Sequence, residues 1–166
     1  MSETQSNFKR FFTVEEANAA LPLVRAICSD LSTLSRNLID RRERLATLLA
    51  GRKDDRDDMY REELVQVEQE LERDSHRVEE YVQELRDLGI EPKNAIEGLV
   101  DFPSKMDDRV VWLCWKLDEP EVLFWHELED GFEGRQLLVV GSGATEEDRQ
   151  SRLDDATDEF GGDRVN

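Results

Sequence analysis

Asp101, His126 and Arg135 carry the side chains that site chemistry most often uses, and all three sit in or beside short apolar runs. Asp101 lies within "GLVDFP", His126 follows Trp125 in "EVLFWHEL", and Arg135 opens "RQLLVV" after a glycine. In one antiparallel sheet these three would converge near an edge. His126 would then act as a general base or a metal ligand, with Asp101 as its orienting carboxylate or co-ligand. Glu127 points away from His126 in a regular strand and joins the same site only through a bulge. Cys114 is expected on the opposite face from His126, which argues against a shared mononuclear metal site.

A structural reading of the same residues competes with the chemical one. It makes His126 and Asp101 a buried hydrogen bond, and Arg135 with Asp101 an ion pair at the sheet edge. No G-x-S-x-G, no phosphate-cradling glycine loop and no second metal-grade histidine accompanies them. Lys116 and Cys114 have no activator in their sequence context, and no haem attachment motif is present. Cys28 and Cys114 fit no metal-ligand spacing. The sequence therefore leans away from an enzyme and predicts no cofactor. A metal held through His126 and Asp101 is the alternative.

The elements that must position these residues begin with helices. Thr13 and Glu16 form a capping box, and Phe12 with Ala17 can staple the entry. Ala17, Ala20, Val24, Ile27, Leu31, Leu34 and Leu38 then recur at alternating steps of three and four. Pro22 removes one hydrogen bond from this helix and should kink it. "GRKDDRDD" at 51–58 reads as the exposed turn of a helical hairpin. A second seam follows at Tyr60, Leu64, Val67, Leu71, Val78, Tyr81, Leu85 and Leu88, closed by Gly89 and Pro92. Each helix should be about 50 Å long.

Antiparallel pairing of the two sets Leu48 near Tyr60, Leu38 near Leu71 and Val24 near Leu85. Arg41 and Asp74 interrupt the seams and do not meet in that register, so they would fix alignment or pair with another chain. His76 falls on the outward face as a solvated histidine. Two helices alone make a thin core. A further partner along the seam is expected, most simply a second copy in a homodimer.

Beyond Pro92 the period becomes two, and the pattern predicts a three- or four-stranded antiparallel meander. "VVWLCWKLDEPEVLFWHEL" holds all three tryptophans. With Glu119 and Pro120 as turn residues, Leu117 opposes Val122, Trp115 opposes Phe124 and Leu113 opposes His126. Pro103 should end the preceding strand. Both faces of this ribbon are largely apolar, whereas a sheet wetted on one side alternates cleanly. The helical hairpin would cover one face, and a second subunit or a ligand the other. Trp112, Trp115, Trp125 and Phe124, with Arg135, Glu16 and Asn18, are the candidate interface residues.

Composition narrows the partners. The chain has 166 residues and a formal net charge of −18. Such a field repels nucleic acid and anionic membranes, because binding either requires cations against phosphate. It suits solubility and a basic protein partner. "MSETQSNFKRFF" lacks an apolar signal core, and no run approaches the roughly 18 apolar residues that span a bilayer. With reduced thiols expected, the cytoplasm is the predicted location.

The expected organisation is α+β: a flexible 1–10, a single domain over 11–140, and an acidic, disordered tail over 141–166. Within the domain, 11–89 form a coiled-coil-like helical hairpin and 95–140 the sheet. The motifs "FTVEEANAALPLV", "GLVDFP", "LCWKLDEPEVLFWHELEDGF" and "GR", in that order, resemble the prokaryotic family catalogued as domain of unknown function 2203. The resemblance covers roughly residues 11–137. Asp118 stands where that family usually has glycine. Because the family has no established function, the resemblance transfers no catalytic residue. It draws attention to Glu16, Asn18, Asp101, Trp115, His126, Glu127 and Arg135, which occupy motif positions here. The functional expectation is a non-enzymatic assembly or adaptor protein acting through protein–protein contacts. The alternative is a metal- or cofactor-binding protein, or a small enzyme, using Asp101, His126 and Arg135.

Overall fold

A computed structural model describes residues 8–51 and 58–138. The expectations for residues 1–7, for the centre of the charged turn, and for the 141–166 tail lie outside the described residues. Helix α1 (Val14–Ala50) and helix α2 (Asp58–Asp87) form the hairpin. Strands β1 (Glu91–Asn94), β2 (Leu99–Met106), β3 (Arg109–Trp115), β4 (Phe124–Glu127) and β5 (Gln136–Leu137) follow, with a single 3₁₀ turn at Phe132–Gly134. The sheet is an antiparallel meander in the order β1-β2-β3-β4-β5. No helix among the described residues is long and apolar enough to cross a membrane.

Local sequence explains the helix ends. Thr13 Oγ1 accepts the Glu16 amide at 3.1 Å, and Glu16 Oε1 accepts the Thr13 amide at 3.1 Å, closing the capping box at both orphan donors. Gly89 stops α2 at φ +85°, with the Ile90 amide donating to the Leu85 carbonyl at 3.0 Å. That six-to-one bond across a left-handed residue is a Schellman cap.

Arg41 and Asp74 do meet in an ion pair, contrary to the expected register, and Arg42 beside Arg41 donates to Ser75. Helical side chains lean towards their own N-terminus. In an antiparallel pair the Arg41 and Asp74 side chains therefore lean towards each other, which closes an offset that the Cα positions alone would leave open.

The core lies between the first half of α1 and one face of the sheet. Ala17, Leu21, Val24, Ile27 and Leu31 pack with Leu85, Val100, Phe102, Leu113 and Trp115. Trp115 is fully buried there, and its indole N–H donates to the Glu119 carbonyl at 3.0 Å.

Three features of the sheet differ from expectation. It has five strands rather than three or four among the described residues, because "EPKN" pairs as β1 before residue 95. Pro103 lies inside β2 rather than ending it. Its carbonyl accepts the Phe12 amide at 2.7 Å, so its nitrogen faces the same free edge, where no ladder donor is needed. Finally, β3 and β4 pair one step out of the predicted register: Trp112 opposes His126, Leu113 opposes Trp125 and Cys114 opposes Phe124.

That step has a cause in the connection. Residues 116–123 form a loop instead of a two-residue turn, and α1 holds it. Arg25 donates to the carbonyls of Leu117, Glu119 and Pro120 at 3.2–3.3 Å. Asn18 Oδ1 accepts the Val122 amide at 2.7 Å.

Candidate functional site

A one-residue slip exchanges the two faces of a strand. Here it moves His126 and Phe124 to the outer face, beside Trp112 and Cys114, and turns Trp125 and Glu127 towards the helix side. Asp101 stands directly opposite Cys114 across β2 and β3. Three adjacent strands thus bring one carboxylate, one thiol and one imidazole together on the outer face. Their potential ligand atoms all lie within 4.8 Å of one another. The placement of Cys114 opposite His126's face is corrected by this register.

The cluster is shut away from water. Asp101 and His126 are 2% exposed and Cys114 1%. His126 Nε2 lies 3.1 Å from Asp101 Oδ2, and His126 Nδ1 lies 2.8 Å from the Glu127 carbonyl oxygen. A carbonyl only accepts, so Nδ1 carries a proton and donates it. Asp101 Oδ1 is buried with no hydrogen-bond partner.

Electrostatics follow from that enclosure. Burial pushes the Asp101 carboxyl above its ordinary range, against the opposing pull of the His126 charge, of hydrogen bonding from Cys114 and His126, and of Lys93. Burial likewise pushes the Cys114 thiol up to about 12, and the neighbouring Asp101 charge adds to the shift. As a free thiol Cys114 is therefore a poor nucleophile.

Arg135 does not pair with Asp101. Its guanidinium pairs with Glu119, with the two side chains only 10% and 12% exposed, and donates to the Cys114 carbonyl at 3.3 Å. It also stacks over Phe124 at 4.0 Å and Phe132 at 4.6 Å, forming a wall beside the cluster. Glu119 holds the Lys116 amide as well, at 2.9 Å. The partnership was missed because a turn residue gives no periodic signal, although an arginine is almost never fully buried unless paired.

The remaining candidates take other places. Trp115 lies in the core, Trp125 packs partly against it, and Arg109 lies 5.5 Å from the Trp125 ring. Trp112 is 9% exposed, beneath Phe8 at 5.2 Å and Lys93 at 5.2 Å. Phe8 touches Phe11, and Lys105 sits over the Phe11 ring. The same chain thus lays its own segment over the outer face, where a second subunit or ligand was expected. Within the stretch expected to be flexible, Lys9 pairs with Asp87 and Arg10 with Glu16. Glu16 serves the cap, and Asn18 serves the loop.

The distal hairpin forms a different surface. Between residues 39–50 of α1 and 60–70 of α2, no side chain is buried. Leu48, Leu49, Val65 and Val67 are exposed there. An open groove of about 290 Å³ runs between the helices, lined by Leu45, Leu48, Tyr60, Leu64 and Val67.

A family model described as an uncharacterised conserved protein matches residues 10–138. No curated protein and no solved structure matches the chain.

Proposed function

The chain belongs to that family, domain of unknown function 2203, and from this premise we propose that it is a non-enzymatic assembly or adaptor protein. It acts in the cytoplasm as a homodimer, with the distal half of its helical hairpin as the coiled-coil-like self-association surface.

The observation that carries this reading is the missing third layer. Helices owe most of their stability in proteins to packing of an apolar face rather than to propensity. The proximal half of the hairpin has the sheet, whereas residues 39–50 and 60–70 have only each other among the described residues, and they leave Leu48 and Val67 in solvent. Charge favours a second copy as the occupant. Residues 39–50 of α1 carry Arg41, Arg42 and Arg44 against Asp40 and Glu43, a net charge of +1, and residues 60–70 of α2 carry Glu62, Glu63, Glu68 and Glu70 against Arg61, a net charge of −3. A two-fold axis that lays α1 of one copy on α2 of the other opposes stretches of opposite net charge.

Sedimentation equilibrium and light scattering test this. The full chain should be a dimer at micromolar concentration. Leu48→Glu combined with Val67→Glu should give a folded monomer, since both positions are exposed in the single chain. A wild-type chain that remains monomeric at high micromolar concentration removes the reading.

A further inference from the structure

We infer that Asp101, Cys114 and His126 together hold one divalent transition cation of borderline softness, with Zn²⁺ the best match. The site lies within a single chain and does not depend on self-association.

Four observations converge on it. First, the donor set is mixed: thiolate sulfur, imidazole nitrogen and carboxylate oxygen are the ligands Zn²⁺ takes, and the mixture is too soft for Mg²⁺ or Ca²⁺. Second, the donors are already gathered, one from each of three neighbouring strands, with no pair of ligand atoms more than 4.8 Å apart. A cation can bind them with side-chain rotations and no change of register.

Third, His126 is oriented for coordination through Nε2. Its Nδ1–H donates to the Glu127 carbonyl at 2.8 Å, which fixes the ring with Nε2 facing Asp101 Oδ2 at 3.1 Å, where a cation would replace the proton the two share. Metal-bound histidines almost always donate their other N–H in this way. Fourth, Asp101 Oδ1 has no hydrogen-bond partner despite its burial. An unsatisfied buried carboxylate oxygen costs free energy that a hydrogen-bonded triad would leave unrecovered.

Charge selects a divalent ion. Asp101 carboxylate, Cys114 thiolate and neutral His126 sum to minus two, so a dication makes the buried site neutral. Binding displaces two protons to solvent, the Cys114 thiol proton and the one shared by His126 Nε2 and Asp101, and the cation takes the place of both. Three protein donors are one fewer than the four of a closed structural zinc site.

The test uses the full chain without a histidine tag, stripped with chelator and titrated with Co²⁺ and then Zn²⁺. Wild-type protein should bind one Co²⁺ with a near-ultraviolet sulfur-to-cobalt charge-transfer band, and Zn²⁺ should abolish it by displacement. Cys28→Ser should keep the band and Cys114→Ser should lose it. His126→Gln and Asp101→Asn should weaken Co²⁺ binding beyond the roughly 10–100-fold expected from loss of an outer-shell partner. Near-ultraviolet circular dichroism of the three tryptophans checks the fold of each variant. If His126→Gln fails to fold, the near-isosteric Cys114→Ser decides. No charge-transfer band in wild type overturns the inference. So does Co²⁺ binding that is identical in wild type and Cys114→Ser, because the ion would then sit on surface carboxylates.

Discussion

Asn18 and Val122 are 104 residues apart in sequence and joined by a 2.7 Å hydrogen bond from the Val122 amide to the Asn18 side-chain oxygen. The contact ties the first turns of α1 to the loop that leads into β4. It thereby helps set which residues of β4 face outward, and His126 is one of them. Replacing Asn18 by Ala leaves the amide of a 2%-exposed residue without its acceptor. Urea denaturation should show a loss of about 1–3 kcal/mol. The His126 ring resonances should shift in the folded variant. A stability equal to wild type would mean the loop holds itself.

Glu119 and Arg135 form the most enclosed ion pair among those described that do not involve histidine. Glu119→Ala strands the guanidinium between Phe124 and Phe132 and removes the acceptor for Lys116 N–H. The expected cost is about 3–5 kcal/mol, the range for removing one partner of a buried pair. Glu119→Leu with Arg135→Met should be markedly less harmful than Glu119→Ala alone. A double-mutant cycle by thermal unfolding measures the difference, and strictly additive effects would count against the coupling.

Gly89→Ala places a side chain at φ +85°, and its Cβ would lie 2.9 Å from Arg10 Cγ. Arg10 is half exposed and can swing aside, so the backbone dominates the penalty. A loss of about 1–2 kcal/mol is expected. Gly89→Asn should lose less, because asparagine visits the left-handed region more readily. Equal melting midpoints for all three proteins would rule out a cap that requires this conformation.

The Glu16 carboxyl is held below its ordinary value of 4.5, first by the Thr13 backbone amide, then by the Thr13 hydroxyl, with Arg10 adding charge. A depressed folded value favours the carboxylate. The stabilisation is therefore complete above the ordinary value and disappears as pH falls through the lower folded one. Glu16→Gln should remove this contribution to the acid limb of the stability curve. Carbon-13 titration of the Glu16 carboxyl reads the shift directly, and titration at or above 4.5 would contradict it.

The helices were readable because their determinants are local. Thr13 and Glu16 lie three residues apart, the seam repeats within each helix, and Gly89 ends α2 through its own backbone. The sheet was readable as a sheet for the same reason. Its details depend on distant groups. β1 carries "EPKN", with no apolar alternation, and exists because its backbone pairs with β2. Pro103 reads as a terminator until Phe12 arrives to use its carbonyl. The β3–β4 register answers to Arg25 and Asn18 on α1, which no hairpin rule contains. Asp101 and His126 were therefore identifiable as partners from type and position, whereas Cys114 was assigned to the wrong face by a single step. Arg41 and Asp74 were missed for a related reason: the Cα register ignores the lean of long side chains.

Residues 8–12 have a protective task. Beyond Asp101 the β2 edge has no neighbouring strand among the described residues, and the Phe12 amide occupies Pro103 while Ser104 Oγ donates to the Phe12 carbonyl at 2.6 Å. An uncapped strand margin invites intermolecular pairing. Trimming the chain to start at Val14 would strip this guard along with Phe8 and Phe11, baring a polar ladder and an aromatic plane side by side. Such a truncation should yield fibrous or amorphous precipitate rather than a smaller soluble domain.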